Sequence, residues 1–303
     1  MLLAIDVGNT ETVVGLFEDG PGPGAPERAI DAGPSRRRPG AVAHTPGRAP
    51  ETVGDGRDTV GLSHHWRLST VAERTSDEYA LLLTQLLDLD GLEIGEVVSG
   101  MAVTSSVPLV TASLRRMAQR WLDVPVMILE PGIRSGMPIV YDNPKEVGAD
   151  RIANAVGAFD LFGGPCVVVD LGTATTFDAI SAAGEYLGGA ITPGVAISLD
   201  ALFAQAAALR RVELVEPRSV IGKSTVESIQ SGALYGFAGQ VDGLCRRITA
   251  VLGECAVVAT GGLADLIAPY AETVDHVEPW LTLHGLRIIY GRNAAFDHGS
   301  RRA

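Results

Sequence analysis

One pattern occurs twice in this chain. The stretch "LAIDVGNTETVVGLF" at 3–17 can be laid on "VVVDLGTATTFDAIS" at 167–181 without a gap, which matches Asp6 to Asp170, Gly8 to Gly172 and Thr12 to Thr176. In each copy an apolar run ends in Asp-x-Gly, passes a small polar turn and enters a second run of strand character, the signature of a β-hairpin. Repetition of a supersecondary unit predicts two related halves, each opening on such a hairpin. The turn suits an anion: glycine removes the Cβ that would obstruct it, successive turn amides form a positively polarised nest, and an Asn or Thr adds a hydrogen bond. A carboxylate beside phosphate needs an intervening cation, so Asp6 and Asp170 are expected to act through a metal or its bound water. Two facing copies predict a nucleotide clamped between related domains.

Around these hairpins strands and helices alternate, which favours an α/β layered architecture. "HHWRLST" continues the first sheet. Thr75 and Glu78 form a capping box for the helix "SDEYALLLTQLLDL", "VVSGMAVTSSV" is a strand, Pro108 opens the helix "LVTASLRRMAQRWL", and "VPVMILEPG" is another strand. Between Gly20 and Gly61 sixteen of forty-two residues are Gly or Pro, so this stretch reads as a disordered loop inserted into the sheet, with PxxP-like spacing but no repeated motif. "AVVATGGLADLI" at 256–267 is strand, Gly261-Gly262, helix; that turn would admit a flat base or ribose, and it is equally ordinary α/β architecture.

Composition removes several partners. Lys and Arg number 24 against 36 Asp and Glu, a formal charge of -12, which argues against a nucleic-acid or anionic-membrane surface. No apolar run is long enough to cross a bilayer, and "MLLAIDVGNT" lacks the features of a signal peptide. Cys166, Cys245 and Cys255 are odd in number and set among apolar residues, and the six histidines show no ligand spacing with them. Reduced thiols in a cytoplasmic protein without a metal cluster are expected.

In "NPKEVGADRIAN" at 143–154, Glu146 and Asp150 are four apart. On one helix face they would repel, so local stability does not explain Asp150. Ile152, Val156 and Phe159 form the apolar stripe of the predicted helix, which turns Asp150 toward a cleft or water. Arg151 is about 100° further round and need not pair with Asp150, leaving it free to hold a substrate carboxylate or another oxygen. "STVE" at 224–227 reads as a second capping box. In the helix after it, Gly232, Gly236, Gly239 and Gly243 line one face, at about 3–4 kcal/mol of helix propensity relative to alanine. Another backbone should fill that groove, by preference within the same domain and otherwise across a dimer axis.

"DVGNTETVVG", "NPKEVGADR", "DLGTATTFD", "GGAITPG" and "GKSTVESIQSGALYG" together resemble the type III pantothenate kinases of the actin-like and sugar-kinase superfamily, over nearly the whole chain apart from 20–61. The resemblance implies an α/β protein of two actin-like (ribonuclease H-like) domains, 1–162 and 163–303, with a nucleotide cleft between them. It also implies transfer of the ATP γ-phosphoryl group to the primary hydroxyl of pantothenate, in a cytoplasmic homodimer. Carried over by motif, Asp6, Val7, Gly8, Asn9, Thr10, Glu11, Thr12 and Val13 would form the first ATP phosphate loop, with Asp6 reaching Mg2+ through water. Thr173 would be a second nucleotide contact, and Asp170 would ligate K+ or NH4+. Tyr141, Gly148, Ala149, Asp150, Arg151 and Thr225 would bind pantothenate, with Asp150 the proton acceptor.

Glu11 adds a charge to the phosphate loop, although strand alternation would turn it outward. Packing on Pro138 and Pro144 explains Tyr141 as well as a substrate contact does, and helix capping accounts for one hydroxyl of Ser224 and Thr225. A sugar or polyol kinase would share the hairpins but not "GADR" or "STVESIQSG"; a regulator on this scaffold would have no use for a proton acceptor; an actin-like filament protein is disfavoured by the insertion.

Overall fold

The chain is described from a computed structural model that covers residues 1–18, 51–52, 61–206 and 209–300, without the side chains at 51–52 and 295–300. Both hairpins form. β1 (Leu2–Val7) pairs antiparallel with β2 (Glu11–Phe17), β3 is Glu51–Thr52, and β4 (Leu62–Ser69) lies antiparallel on β2. Helix α1 (Ser76–Leu89) starts with both hydrogen bonds of the Thr75–Glu78 capping box, and α2 is the single turn Ile94–Val97. β5 (Gly100–Ser105) runs parallel to β1, Pro108 is the first residue of α3 (Pro108–Met117), and β6 (Val126–Ile128) runs parallel to β5. After α4 (Ala149–Phe162) the plan repeats: β7 (Cys166–Leu171), β8 (Ala174–Ile180) and β9 (Tyr186–Pro193) are antiparallel neighbours. Then come α5 (Val195–Gln205), α6 (Thr225–Leu252), β10 (Ala256–Thr260) parallel to β7, α7 (Ala264–Ile267), β11 (His276–Val277) parallel to β10, and α8 (Leu281–Ser300).

The strand orders β4-β2-β1-β5-β6 and β9-β8-β7-β10-β11 are the same path drawn twice, with β3 added beyond β11 in the second sheet. The repeat is not gapless, however. Val7 faces Thr12 across the first hairpin and Leu171 faces Thr175 across the second, so the counterpart of Thr12 is Thr175 rather than Thr176. The turns differ by one residue, since Gly8 N–H donates to the Glu11 carbonyl and Gly172 N–H to that of Ala174. A one-residue slip exchanges the faces of a strand, and the burial agrees, with Thr12 and Thr175 both in the interior.

Of the stretch read as a disordered loop, 20–50 and 53–60 lie outside the described residues. Glu51 and Thr52 form a strand, so that stretch is not without regular structure throughout. The Glu18 N–H donates to the Gly61 carbonyl at 2.9 Å, so the flanking strands still meet as a hairpin.

Strand alternation decides what lies where. In β1, Leu3, Ile5 and Val7 point into a core shared with α1, α2 and α3, while Leu2 and Ala4 point the other way. In β7, Val167, Val169 and Leu171 pack on α5, α6 and α7, while Cys166 and Val168 face the opposite side. The two inward faces meet one another across α4 and α8 in a single apolar cluster. With a period of two, Asp6 continues the Leu2–Ala4 row and Asp170 the Cys166–Val168 row. Both carboxylates therefore belong to the space between the sheets.

α4 and α8 touch backbone to backbone. A Cβ on Gly285 would stand 1.8 Å from the Ala153 carbonyl oxygen, and one on Gly157 would stand 2.8 Å from that of Leu281. The predicted glycine groove of α6 behaves differently: nothing lies within 4 Å of a Cβ on Gly232, Gly236 or Gly239, and only the Arg247 side chain approaches Gly243. The packing preferred within the domain is absent, and this face of α6 is open along the described chain. Cys166 and Cys245 are buried and Cys255 is partly so, all three as free thiols; burial pushes Cys166 and Cys245 up to about 12.

Candidate active site

Asp6 and Asp170, the last inward residues of their strands, come together with Asp150 from the first turn of α4. Burial raises the proton affinity of the Asp6 carboxyl well above the usual range, and the negative charges of Asp150 and then Asp170 raise it further. Asp170 is pushed up to about 7, by burial first and then by Asp150, against the opposing hydrogen bond from Asn154. Arg151 opposes the rise at Asp170 only as the smallest of the contributions and is itself paired with Asp178, so the carboxylates are left short of positive charge, for which a bound cation is the ordinary remedy. Among the described residues no group of three or more His, Cys, Asp or Glu side chains converges as a self-sufficient metal site. Oxygen donors of this kind fit hard cations that keep water or phosphate in their shell.

The first hairpin tip is braced from β4. Thr70 Oγ donates to the Gly8 carbonyl at 2.8 Å and lies 2.8 Å from Thr12 Oγ, while the Thr70 N–H donates to the Thr10 carbonyl. Asn9 and Thr10 are exposed at the tip, Gly8 and Val13 are half-buried, and Val7 and Thr12 are interior. Glu11 points outward and forms an ion pair with Arg67, so its charge is spent away from the tip. Thr173 is the exposed tip of the second hairpin. The turn into α5 sits on it: the Gly194 N–H donates to the Thr173 carbonyl at 3.2 Å, and a Cβ on Gly194 would clash with that oxygen at 2.3 Å. The N-terminus of α5, with its unpaired amides, thus adjoins this tip, an arrangement that favours anions. Gly261, in the left-handed region with φ 93°, packs so closely that a Cβ would stand 2.5 Å from Asp170 Oδ1. The close approach made possible by the second glycine turn is to Asp170 itself.

The segment carrying Asp150 differs from its sequence reading. Pro144–Glu146 is a separate 3₁₀ turn capped by Asn143, and α4 starts at Ala149 with Gly148 as its N-cap. Glu146 therefore shares no helix face with Asp150; it accepts from Asn143 Nδ2 at 2.7 Å. The extended backbone at Val147 and Gly148, between the 3₁₀ turn and α4, breaks the helix that the spacing suggested. Asp150 is exposed, and its Oδ1 accepts the Arg151 N–H at 2.8 Å.

Arg151 is not free. Its Nε and Nη2 donate to Asp178 Oδ1 at 2.8 and 2.7 Å. Tyr186 OH donates to the same oxygen at 2.7 Å and Thr176 Oγ to Oδ2 at 3.3 Å. Burial alone would loosen the Arg151 proton, but Asp178 more than offsets it. Burial likewise pushes the Asp178 carboxyl up while Arg151 and Tyr186 pull it down; since the guanidinium keeps its proton, the pair stands as charged. Tyr141 is held nearby by a bridge between Ile139 and Tyr186, with its ring 6.4 Å from that of Tyr186 and in contact with Gly188.

Thr225 is exposed at the first residue of α6, and no hydrogen bond among the described residues joins it to the acidic group. The box around it is half formed: Ser224 accepts the Glu227 N–H, but the Glu227 carboxylate turns to Arg218 and the Lys223 N–H. Sequence reasoning missed Asn154, Asp178, Tyr186 and Thr282. Asn154 was within reach, since it follows Asp150 by one helical turn; Asp178 and Tyr186 enter through strand pairing that no local pattern announces.

A family model described as type III pantothenate kinase matches residues 53–247. Proteins named type III pantothenate kinase from Streptomyces avermitilis, Thermobifida fusca and Moorella thermoacetica are 48%, 48% and 47% identical to this chain. Each alignment spans 97% of this chain and 98% or more of the relative, so the similarity extends well beyond the residues that the family model matches. Among solved structures, the activator of 2-hydroxyisocaproyl-CoA dehydratase from Clostridium difficile shares the fold with a TM-score of 0.52 at 12% identity, over 99% of this chain and 97% of that one. Component A of (R)-2-hydroxyglutaryl-CoA dehydratase from Acidaminococcus fermentans does so with a TM-score of 0.51 at 15% identity, over 97% and 98%.

Proposed function

The chain belongs to the type III pantothenate kinases, and from that membership we propose how its residues divide the work of moving the ATP γ-phosphoryl group onto pantothenate. The product is 4′-phosphopantothenate, in the first step of coenzyme A biosynthesis. The hydroxyl oxygen of pantothenate bonds to the γ-phosphorus, the bond from that phosphorus to the β-bridging oxygen breaks, and ADP departs with the electron pair. Asp150 takes the hydroxyl proton, being a carboxylate on a rigid helix, exposed to an incoming alcohol and adjacent to both hairpin Asp residues. The exposed turn at Asn9 and Thr10, the tip at Thr173 and the N-terminus of α5 receive the phosphates. Glu11 takes no part through its side chain, which Arg67 occupies.

Asp6, through water, and Asp170 directly are the residues that would hold Mg2+ and K+ or NH4+, and the ions would neutralise phosphate charge as transfer proceeds. Tyr141, Gly148 and Ala149 shape the acceptor side together with Arg151. Because Arg151 is engaged by Asp178, it contributes through that network and through its remaining donors. Two domains, 1–162 and 163–303, carry the two hairpins, and the open glycine face of α6 supports a homodimer. Thr225 lies at the exposed start of the same helix, and its contact with pantothenate belongs to this proposal. Among the described residues no helix is long and apolar enough to cross a membrane, which suits the cytoplasmic placement proposed here.

The carrying observation is the convergence of Asp6, Asp150 and Asp170. It is tested by coupled measurement of ADP release with ATP and Mg2+, with and without pantothenate and with and without K+. Release that requires pantothenate and rises with K+ is expected; release that ignores pantothenate and follows a sugar or polyol instead would overturn the assignment.

A further inference from the structure

The face of α4 that shows Asp150 at the mouth of the site presents Asn154 one turn deeper, since residues four apart share a helix face. Asn154 is fully buried, and its amide is used at both ends. Nδ2 donates to Asp170 Oδ2 at 3.0 Å, and Oδ1 accepts from Thr282 Oγ of α8 at 2.7 Å. The direction of this chain is fixed by chemistry. When a cation holds Asp170 ionised, the carboxylate can only accept, so Asn154 turns its NH2 group toward it and the Thr282 hydroxyl is left to donate to the amide oxygen. Thr282 lies three residues before Gly285, where α8 rests on the α4 backbone at Ala153. The hydroxyl is therefore delivered by the backbone-to-backbone contact of α8 with α4.

We propose that Asn154, oriented by Thr282, is the positioning residue that aims the Asp170 carboxylate at the space between the hairpin tips, locking the second hairpin to the helix that bears Asp150. The inference rests on the assignment of Asp170 to the nucleotide side of the kinase site. The side-chain hydrogen bonds of Asn154 and Thr282 lead to Asp170 on the nucleotide side, so the two residues are expected to govern nucleotide handling and to leave pantothenate recognition alone.

The test uses the full-length enzyme and three variants. Thr282→Val keeps the side-chain shape and removes the donor, Thr282→Ser keeps the donor, and Asn154→Ala removes the link. Loss of one hydrogen bond that serves a charged group predicts a fall of about tenfold in kcat/KM for ATP in Thr282→Val. A similar fall is expected in ADP affinity measured by calorimetry without pantothenate. KM for pantothenate stays within about twofold, Thr282→Ser recovers most of the loss, and Asn154→Ala matches or exceeds Thr282→Val. The inference is overturned if Thr282→Val binds ADP as the parent does. It is equally overturned if both KM values move together with a fall in Tm that Thr282→Ser does not repair, since that pattern marks a purely structural role. Calorimetry keeps the test separate from the function itself: a parent enzyme that leaves pantothenate untouched refutes the kinase assignment, while the ADP affinities still judge Asn154 and Thr282.

Discussion

Replacing Asp178 by Asn removes one charge and almost no volume, yet it should be among the most damaging single changes outside the acidic group. Asp178 is 0% exposed and Arg151 8%, so the guanidinium has no water to turn to once its partner is neutral. An amide also offers one acceptor oxygen where the carboxylate serves Arg151 and Tyr186 on Oδ1 and Thr176 on Oδ2. Removing one half of a buried ion pair costs about 3–5 kcal/mol, against a total of roughly 5–15 kcal/mol for an ordinary domain. Removing both halves costs much less, because no charge is stranded. The assay is urea unfolding of the parent, Asp178→Asn, Arg151→Met and the double variant Arg151→Met/Asp178→Leu. The expected losses are about 3–5 kcal/mol for each single change, with the double within about 2 kcal/mol of the parent, the remainder reflecting the hydroxyl of Tyr186 without its acceptor. A cost below about 1 kcal/mol for Asp178→Asn would refute the pairing and restore the free arginine that the sequence suggested.

Gly285→Ala must push α8 off α4 and should cost about 3 kcal/mol, whereas Gly291→Ala, where nothing lies within 4 Å, should gain up to about 1 kcal/mol; unfolding midpoints compare them. The Asp170 carboxyl, raised to about 7, holds a proton in the folded chain that the unfolded chain has already lost. Its stabilising contribution is therefore complete below the ordinary carboxylate range and disappears as the pH rises toward 7. In cation-free buffer Asp170→Asn should accordingly gain on the parent between pH 4 and pH 8, by about 4 kcal/mol from the shift alone and about half that once partial solvent contact is allowed for; equal denaturation curves at both pH values would contradict this. Gly236→Leu should lower the mass in light scattering or lower Tm if the open face of α6 meets a second copy, and unchanged values would remove that face from the interface.

The hairpins, the capping box at Thr75 and the helix opening at Pro108 were legible in the sequence because each depends on neighbours a few residues away. The same is true of Asp6 and Asp170: strand parity alone, counted from Leu2 and Cys166, sends both to the inner side. What escaped had both local and long-range causes. The one-residue slip that pairs Thr12 with Thr175 follows from turn length, which an ungapped match cannot register. The commitment of Arg151 depends on Asp178 and Tyr186, brought in by the pairing of β8 with β9. Glu146 lost its place beside Asp150 for a local reason, the extended Val147 and Gly148 between them, that the i, i+4 count passed over. The glycine stripe of α6 was visible and its occupant was not, because spacing states that a face is open without stating what covers it.

The central claim is that two hairpin carboxylates and a helix-borne acid form one phosphoryl-transfer site, with Asp150 receiving the proton. It is tested most directly by single-turnover kinetics and ADP calorimetry on Asp150→Asn, an isosteric change at an exposed position. The account predicts that kcat falls by about 10²–10⁴ while ADP affinity stays within about twofold of the parent; turnover at the parent rate would contradict it.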